Sequence, residues 1–172
     1  MSPRRRRVLS LLAALAAAAP LAVACGKKPP PPPPPAAPPP PPPPTVVSLT
    51  LKATPEVNPD GGGTAKPVRV RILKLATGNA FAEADFFALD KDLEKTLAKD
   101  LKGSEELVLA PGTTQVWQAK LDDDVRVLGV MAAYQAIDKA QWRAWKEIPR
   151  NATTLLSAEL GAAGIALREA AP

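Results

Sequence analysis

A proline tract near the N-terminus limits where this 172-residue chain can form a folded domain. Residues 29–35 and 38–44 are all proline, and only two alanines separate the two runs. Because proline lacks a backbone N–H donor and has a fixed φ, the tract cannot join a helix or a sheet. In polyproline II geometry it reaches roughly 50 Å, at about 3.1 Å per residue. The tract therefore predicts a stiff stalk, with a docking ligand for a proline-binding domain as the alternative.

The segment before the stalk has the three parts of an export signal. Arginines at positions 4–7 precede an apolar run at residues 8–19, and small residues lead into Cys25. Because a cysteine follows the expected cut, we predict a lipoprotein signal peptide over residues 1–24 and a lipid on the Cys25 thiol. Residues 25–44 would then be the lipidated, membrane-anchored stalk. An ordinary signal peptide or an N-terminal membrane helix is the alternative, although the apolar run is short and Pro20 interrupts it.

The composition excludes several function classes. Four of the 22 Lys and Arg residues lie in the signal, which leaves 18 basic against 17 acidic residues and no basic excess for binding nucleic acid. The chain has no histidine, so His-based metal sites and Ser-His or Cys-His catalytic pairs are excluded. No carboxylate pair or activated nucleophile stands out. We therefore predict a protein that is not an enzyme and has no cofactor or small-molecule substrate.

Three short motifs have both a functional and a structural interpretation. The acids at residues 122–124 could bind a hard cation, but nothing nearby completes a ligand set, so a solvated turn without metal is predicted. The glycines at residues 61–63 could suggest a phosphate-binding loop, but the Lys-Ser or Lys-Thr that follows in such a loop is missing, so no phosphate site is predicted there. Trp117, Trp142 and Trp145 could form an aromatic binding surface, but core or edge packing is the favoured interpretation.

Alternating apolar residues predict β-strands along most of the chain from Thr45 onward. Val47, Leu49 and Leu51 alternate with polar residues, as do the apolar positions of residues 68–72. At Leu73 the alternation slips, which predicts a bulge or a strand buried on both faces. Further strands are predicted at residues 107–109, 117–121, 125–134, 142–148, 156–160 and 165–167. These strands predict a mainly β fold, a β-sandwich formed by one domain over residues 45–172.

One helical insertion interrupts this β pattern. Over residues 81–102, apolar side chains recur at three- and four-residue spacing on one face. Asn79 is placed to cap the start of this helix and Gly103 to end it. A break near residues 89–91 is possible within this pattern. We predict one helical insertion in the sandwich over these residues.

Several stretches together resemble the TssJ family, the outer-membrane lipoproteins of the type VI secretion membrane complex. Residues 58–72 are similar to its N-P-D-x-x-G-x-x-x-P-V-x-V-R-I pattern, and residues 81–89 to its F-x-x-A-D-F-x-x-L pattern. Residues 109–112 match its proline-glycine turn, residues 128–134 its G-V-x-A-x-Y strand, and residues 137–143 its following W-R. The order and spacing of these stretches, rather than any one of them, make the resemblance specific.

The resemblance implies a transthyretin-like two-sheet β-sandwich with a helical addition. It also implies that an acylated Cys25 holds the protein on the periplasmic face of the outer membrane. The implied partner is the periplasmic C-terminal domain of TssM, an inner-membrane protein, so that the lipoprotein anchors the trans-envelope channel. The implied contact is the loop between the first two strands, which consists here of Asn58, Pro59, Asp60, Gly61, Gly62, Gly63 and Thr64.

The residues of this loop fit a binding role. Pro59 stiffens one side, and the three glycines at residues 61–63 can take positive φ and leave their backbone groups free for a partner. A plain flexible hairpin connection is the alternative for the loop. For the whole chain, the alternative is an unrelated periplasmic lipoprotein that binds a small ligand or a peptide, which would need a concave apolar pocket.

Overall fold

The fold is a sandwich of two four-stranded β-sheets with a short helical segment on one outer face. The computed structural model describes residues 38–170, and residues 38–44 are exposed and have no regular secondary structure. The predicted signal peptide, Cys25 and the first part of the proline stalk lie outside the described residues. The strands are β1 Thr45–Ala53, β2 Val68–Leu75, β3 Leu101–Leu109, β4 Thr114–Leu121, β5 Val127–Ala133, β6 Arg143–Glu147, β7 Thr153–Leu160 and β8 Ile165–Glu169.

The first sheet has the strand order β4-β1-β7-β8 and the second has the order β3-β2-β5-β6. We call them sheet A and sheet B. All neighbouring pairs are antiparallel except β1 and β7, which run parallel. The chain therefore crosses between the sheets rather than forming a simple meander. The predicted two-sheet β-sandwich with a helical insertion is confirmed.

The main core lies between the two sheets and follows the alternation of the strands. Val47, Leu49 and Leu51 of β1 are fully buried and face Val70 and Ile72 of β2 across the core. The intervening β1 side chains lie on the outer face of sheet A. Burying this apolar surface is the main stabilising contribution to the fold, at roughly 25 cal/mol per Å².

The alternation slip in β2 was correctly predicted. Its register against β3 shifts between Lys74 and Leu75, and both Leu73 and Leu75 are fully buried. These two leucines face away from the main core and join a second apolar cluster beneath the helical segment. Sheet B is therefore buried on both faces at this end, and the helical segment covers its outer face.

The segment predicted as helical over residues 81–102 is divided into shorter pieces, and its last residues belong to a strand. The break that the pattern allowed near residues 89–91 is present directly after Lys91. The structure has three short helices, α1 Asn79–Glu83, α2 Phe86–Lys91 and α3 Leu93–Leu97, followed by a 3-10 turn at Ala98–Asp100. The side chains of Asp85 and Asp92 accept hydrogen bonds from the backbone N–H groups of Ala88 and Lys95, so each aspartate starts a new helix. The apolar residues keep a helical spacing across these caps, so the sequence pattern did not indicate where each helix begins.

The predicted ends of that helical segment are wrong. Gly78 precedes α1, so Asn79 is its first residue rather than its cap. Gly103 lies inside β3, and the strand predicted at residues 107–109 is the last part of this longer strand. Among residues 38–170, no helix is long and apolar enough to cross a membrane.

Candidate functional site

The loop between β1 and β2, residues 54–67, lies at one end of the sandwich. Three other connections meet it there, at residues 110–113, 134–142 and 161–164. Thr54 donates to Leu160 O at 2.9 Å and accepts from the Gly112 N–H at 3.2 Å, which ties the loop to two of them. We call this end the loop pole. Thr45, where the stalk joins the domain, lies at the other end of β1, roughly 30 Å away at 3.3 Å per residue.

Asn58 fastens the loop to the body of the domain. Its side chain is 3% exposed, and its backbone has a φ of +49°. The Nδ2 group donates to Pro67 O at 2.9 Å, and Oδ1 accepts from the backbone N–H of Gln135 at 2.7 Å. One amide therefore joins both ends of the loop to the β5–β6 connection. Asn58 lies beneath the surface that a partner could touch, and it positions the loop.

Asp60 closes the exposed part of the loop into a compact turn. Its Oδ1 accepts from the backbone N–H groups of Gly62 at 3.0 Å and Thr64 at 2.9 Å. The backbone N–H of Asp60 donates to Thr64 O, and the backbone C=O of Asp60 accepts from the Gly63 N–H, each at 2.9 Å. Lys66 Nζ lies 3.2 Å from the Asp60 Oδ2. These bonds hold the turn in one conformation, which lowers the entropy lost when a partner binds.

The same contacts make the turn sensitive to acid. The Thr64 backbone N–H, followed by Lys66 and the Gly62 N–H, lowers the pKa of Asp60 below its ordinary value of 3.8. Because the folded-state pKa is the lower one, the stabilisation is complete above pH 3.8 and is lost as the pH falls through the folded value.

We therefore expect the turn to loosen only under strongly acidic conditions. Between pH 5 and pH 2, the amide resonances of Gly62 and Thr64 should shift together in NMR spectra, with a midpoint below pH 3.8. Asp60→Asn keeps a carbonyl acceptor but removes the titrating group, so it should abolish this shift. A midpoint at or above pH 3.8 in the wild-type protein would contradict the contacts described for Asp60.

The glycines at residues 61–63 only partly show the positive φ and the free backbone groups that were predicted for them. Gly63 has a φ of +82°, whereas Gly61 and Gly62 do not have positive φ. The N–H groups of Gly62 and Gly63 are already used inside the turn, so the expectation that all three would remain free is wrong. The residues from Gly61 to Thr64 are nevertheless all exposed, and a side chain added at Gly61 would meet open space. This run is therefore a rigid, accessible surface.

The other predicted candidates do not come together. Trp117 is buried at the edge of sheet A and donates to Glu105 at 2.7 Å, while Trp142 packs edge-on against Phe86. Trp145 is 43% exposed and packs against Phe81 of α1. In the acidic turn, Asp124 pairs with Lys102 at 2.8 Å. Within residues 38–170, no group of three or more acidic or sulfur ligands could hold a metal ion.

Sequence reasoning missed the other surfaces of the loop pole. Tyr134, Ala140 and Ala163 lie beside Pro59, although the chain separates them by dozens of residues. The sequence pattern places Tyr134 at the end of a predicted strand and of the G-V-x-A-x-Y stretch, and the alanines carry no chemical signal. Only the strand pairing, which brings the ends of β5 and β7 next to the loop, could have indicated them.

The comparisons with known proteins agree on one family. Residues 45–163 match the family described as type VI secretion lipoprotein, VasD, EvfM, TssJ, VC_A0113. No curated protein matches the chain. Among solved structures, the type VI secretion lipoprotein TssJ1 from Pseudomonas aeruginosa is 38% identical with a TM-score of 0.74, and the match covers 76% of this chain and 99% of TssJ1.

Two further solved structures are similar to this chain. Lip from Serratia marcescens, a membrane-bound component of the type VI secretion system, is 27% identical with a TM-score of 0.68, over 74% of this chain and 98% of Lip. A chain of a type VI membrane complex is 25% identical with a TM-score of 0.62, over 72% of this chain and 98% of that chain. The family match spans more than half of the sequence, and so this chain belongs to the TssJ family of type VI secretion lipoproteins.

Proposed function

We propose that this chain is a structural lipoprotein that anchors the type VI secretion membrane complex to the outer membrane. It does so by binding the periplasmic C-terminal domain of TssM through the β1–β2 loop. The observation that carries the proposal is the position of this loop. It is exposed and rigid, and it lies at the pole opposite Thr45, where the stalk joins the domain. The similarity to a chain of a type VI membrane complex supports the same assignment.

The proposed division of the chain follows from this role. Residues 1–24 direct export, and Cys25 carries the lipid that holds the protein on the periplasmic face of the outer membrane. The proline stalk over residues 25–44 separates the lipid from the domain, and residues 45–172 form the domain that meets the partner. The protein acts by holding its partner and not by catalysis.

The loop residues have two different tasks in this proposal. Asn58 and Asp60 hold the loop in shape through their internal hydrogen bonds. Pro59 and the exposed run 61–64 then form the contact with TssM. Because the loop is already ordered, binding loses less conformational entropy than it would with a flexible glycine segment.

Replacement of Gly61 by tryptophan is expected to weaken TssM binding at least tenfold without changing the melting temperature. Gly61 has open space around it and no positive φ, so the new side chain is tolerated by the fold and obstructs only the partner. Isothermal titration of the lipoprotein with the periplasmic region of TssM measures the change. Val116→Trp, at an exposed position on the outer face of sheet A, is the matched control. Wild-type affinity in Gly61→Trp would move the contact away from this loop.

The anchor is tested separately with Cys25→Ser. This variant lacks the thiol that accepts the lipid, and it should move from the membrane fraction to the soluble periplasmic fraction. A variant that remains with the membrane in cells without TssM would show that another part of the chain is the anchor.

The alternative of a ligand-binding lipoprotein has less support. The hollow of about 430 Å³ beside the helical segment is lined mainly by polar and charged side chains, and the neighbouring one of about 410 Å³ is lined about equally by polar and apolar residues, whereas ligand sites are predominantly apolar. Arg71, which lines the larger one, is already paired with Asp90 at 3.2 Å and Glu106 at 2.6 Å.

A further inference from the structure

A small cleft at the loop pole lies directly beside the proposed TssM-binding loop. It has a volume of about 220 Å³ and lies between the β1–β2 loop, the β5–β6 connection and the β7–β8 turn. Its walls are mainly apolar and include Pro59, Tyr134, Ala136, Ala140 and Ala163. Small-molecule sites are typically about 300–1,000 Å³, so the cleft is small for a metabolite. Its size and its alanine walls suit one inserted side chain.

The walls of the cleft are fixed to one another before any partner arrives. Asn58 joins the β1–β2 loop to Gln135 of the β5–β6 connection at 2.7 Å. The backbone N–H of Gln141 donates to Ala163 O at 2.9 Å, and Ile165 donates back to Gln141 O at 2.9 Å. These bonds join the connection to the β7–β8 turn. A cleft held in this way loses little entropy when it is filled.

Tyr134 is a wall residue whose polar group is buried in the protein and unpaired. The residue is 6% exposed, and its hydroxyl has no hydrogen-bond partner among the described residues. Burial raises the pKa of Tyr134 well above its ordinary value of 10, so the phenol stays neutral and is able to donate. Because the hydroxyl oxygen has almost no accessible surface, Tyr134 contributes its aromatic ring to the cleft wall, and its hydroxyl takes no part in the cleft.

The charge at the cleft indicates what accompanies the inserted side chain. Lys139 also lines the cleft and is exposed, and its ammonium forms no ion pair within the described part of the chain. Among residues 38–170, none of those that line the cleft is acidic. A carboxylate of a partner would therefore find a complementary and accessible charge at this position.

We propose that this cleft receives one apolar side chain of the periplasmic partner, next to a partner carboxylate that pairs with Lys139. This inference rests on the proposed function and extends its contact surface from one loop to three connections of the loop pole. The β5–β6 connection and the β7–β8 turn then select the partner segment by its shape and charge.

The test is titration of the full-length lipoprotein, purified in detergent, with the periplasmic C-terminal region of TssM from the same organism. Ala163→Leu fills the cleft from an exposed position and is expected to weaken binding at least tenfold. Its control is Ala166→Leu, at an exposed position of β8 outside the cleft. Tyr134→Phe removes only the inaccessible hydroxyl and keeps the aromatic wall, so it is expected to keep or raise the melting temperature and to bind like wild type.

Charge is tested with a second pair of variants. Lys139→Glu is expected to weaken binding at least tenfold at low salt, with a smaller difference from wild type at high salt. Lys120→Glu, at an exposed position of β4, is its control and should bind like wild type.

The outcomes separate this inference from the proposal on which it rests. If Gly61→Trp loses binding while Ala163→Leu keeps wild-type affinity, the proposed role of the cleft is overturned and the loop proposal stands. Wild-type affinity in Lys139→Glu overturns the proposed pairing with a partner carboxylate. If Gly61→Trp also binds like wild type, or if the wild-type protein does not bind TssM, the proposed function itself fails.

Discussion

Replacement of Asn58 by alanine is expected to lower the free energy of unfolding by about 3 kcal/mol and to abolish TssM binding. The change leaves Pro67 O and the Gln135 N–H without their buried partner, at a cost of about 1–3 kcal/mol for each group. Alanine also tolerates the φ of +49° less well than asparagine. The loop would lose its attachment to the domain, and with it the ordered surface offered to a partner.

Asn151 provides the matched control for this prediction. It also has a positive φ, of +55°, but it is exposed and lies at the other pole. Asn151→Ala therefore reports the backbone penalty alone, about 1 kcal/mol. Urea unfolding of both variants gives the difference, and the melting temperature of Asn58→Ala should fall by about 10 °C. Equal stabilities of the two variants would show that the buried amide contributes nothing.

A second large effect is expected at Gly164, in the turn between β7 and β8. Its φ of +144° is rarely adopted by residues with a side chain, and an added Cβ would lie 2.5 Å from the backbone oxygen of Gln141. Since backbone cannot move aside as a flexible side chain can, we expect Gly164→Ala to lower the free energy of unfolding by about 3 kcal/mol. It should also weaken TssM binding, because the turn is displaced from the β5–β6 connection.

Gly161 in the same turn is the matched control. A Cβ there meets nothing within 4 Å, and its φ is not in the positive region. The free energy of unfolding of Gly161→Ala should lie within about 0.5 kcal/mol of the wild-type value. Urea denaturation and titration with TssM report stability and binding for both variants. A stable Gly164→Ala protein with normal binding would show that the close approach of the turn to Gln141 is not required.

The strands of this fold could be predicted because their signal is local. In β1 and β2, every second side chain faces the main core, and the slip at Leu73 marks the place where sheet B becomes buried on both faces. The helical segment could not be predicted in detail. Asp85 and Asp92 look like exposed polar residues in the pattern, yet each one caps a separate helix.

The candidate site could be predicted only where it depends on neighbouring residues. Glycine and proline at residues 59–63 mark an exposed loop, as the structure confirms. Nothing in the local pattern indicates that Asn58 is buried, because its partners Pro67 and Gln135 are defined by the meeting of two sheets. The cleft beside Tyr134 depends on strand pairing across the whole domain, so no short motif could predict it.

The strand β1 directly joins the two poles of the domain. A pull between a membrane-bound stalk and a partner held at the loop pole would act along this strand. Because β1 pairs with β4 on one side and with β7 on the other along almost its whole length, both hydrogen-bond ladders would be loaded in shear at the same time. Under the proposed function the domain would therefore transmit tension along β1, and its mechanical lifetime would depend on the rate of forced unfolding rather than on equilibrium stability.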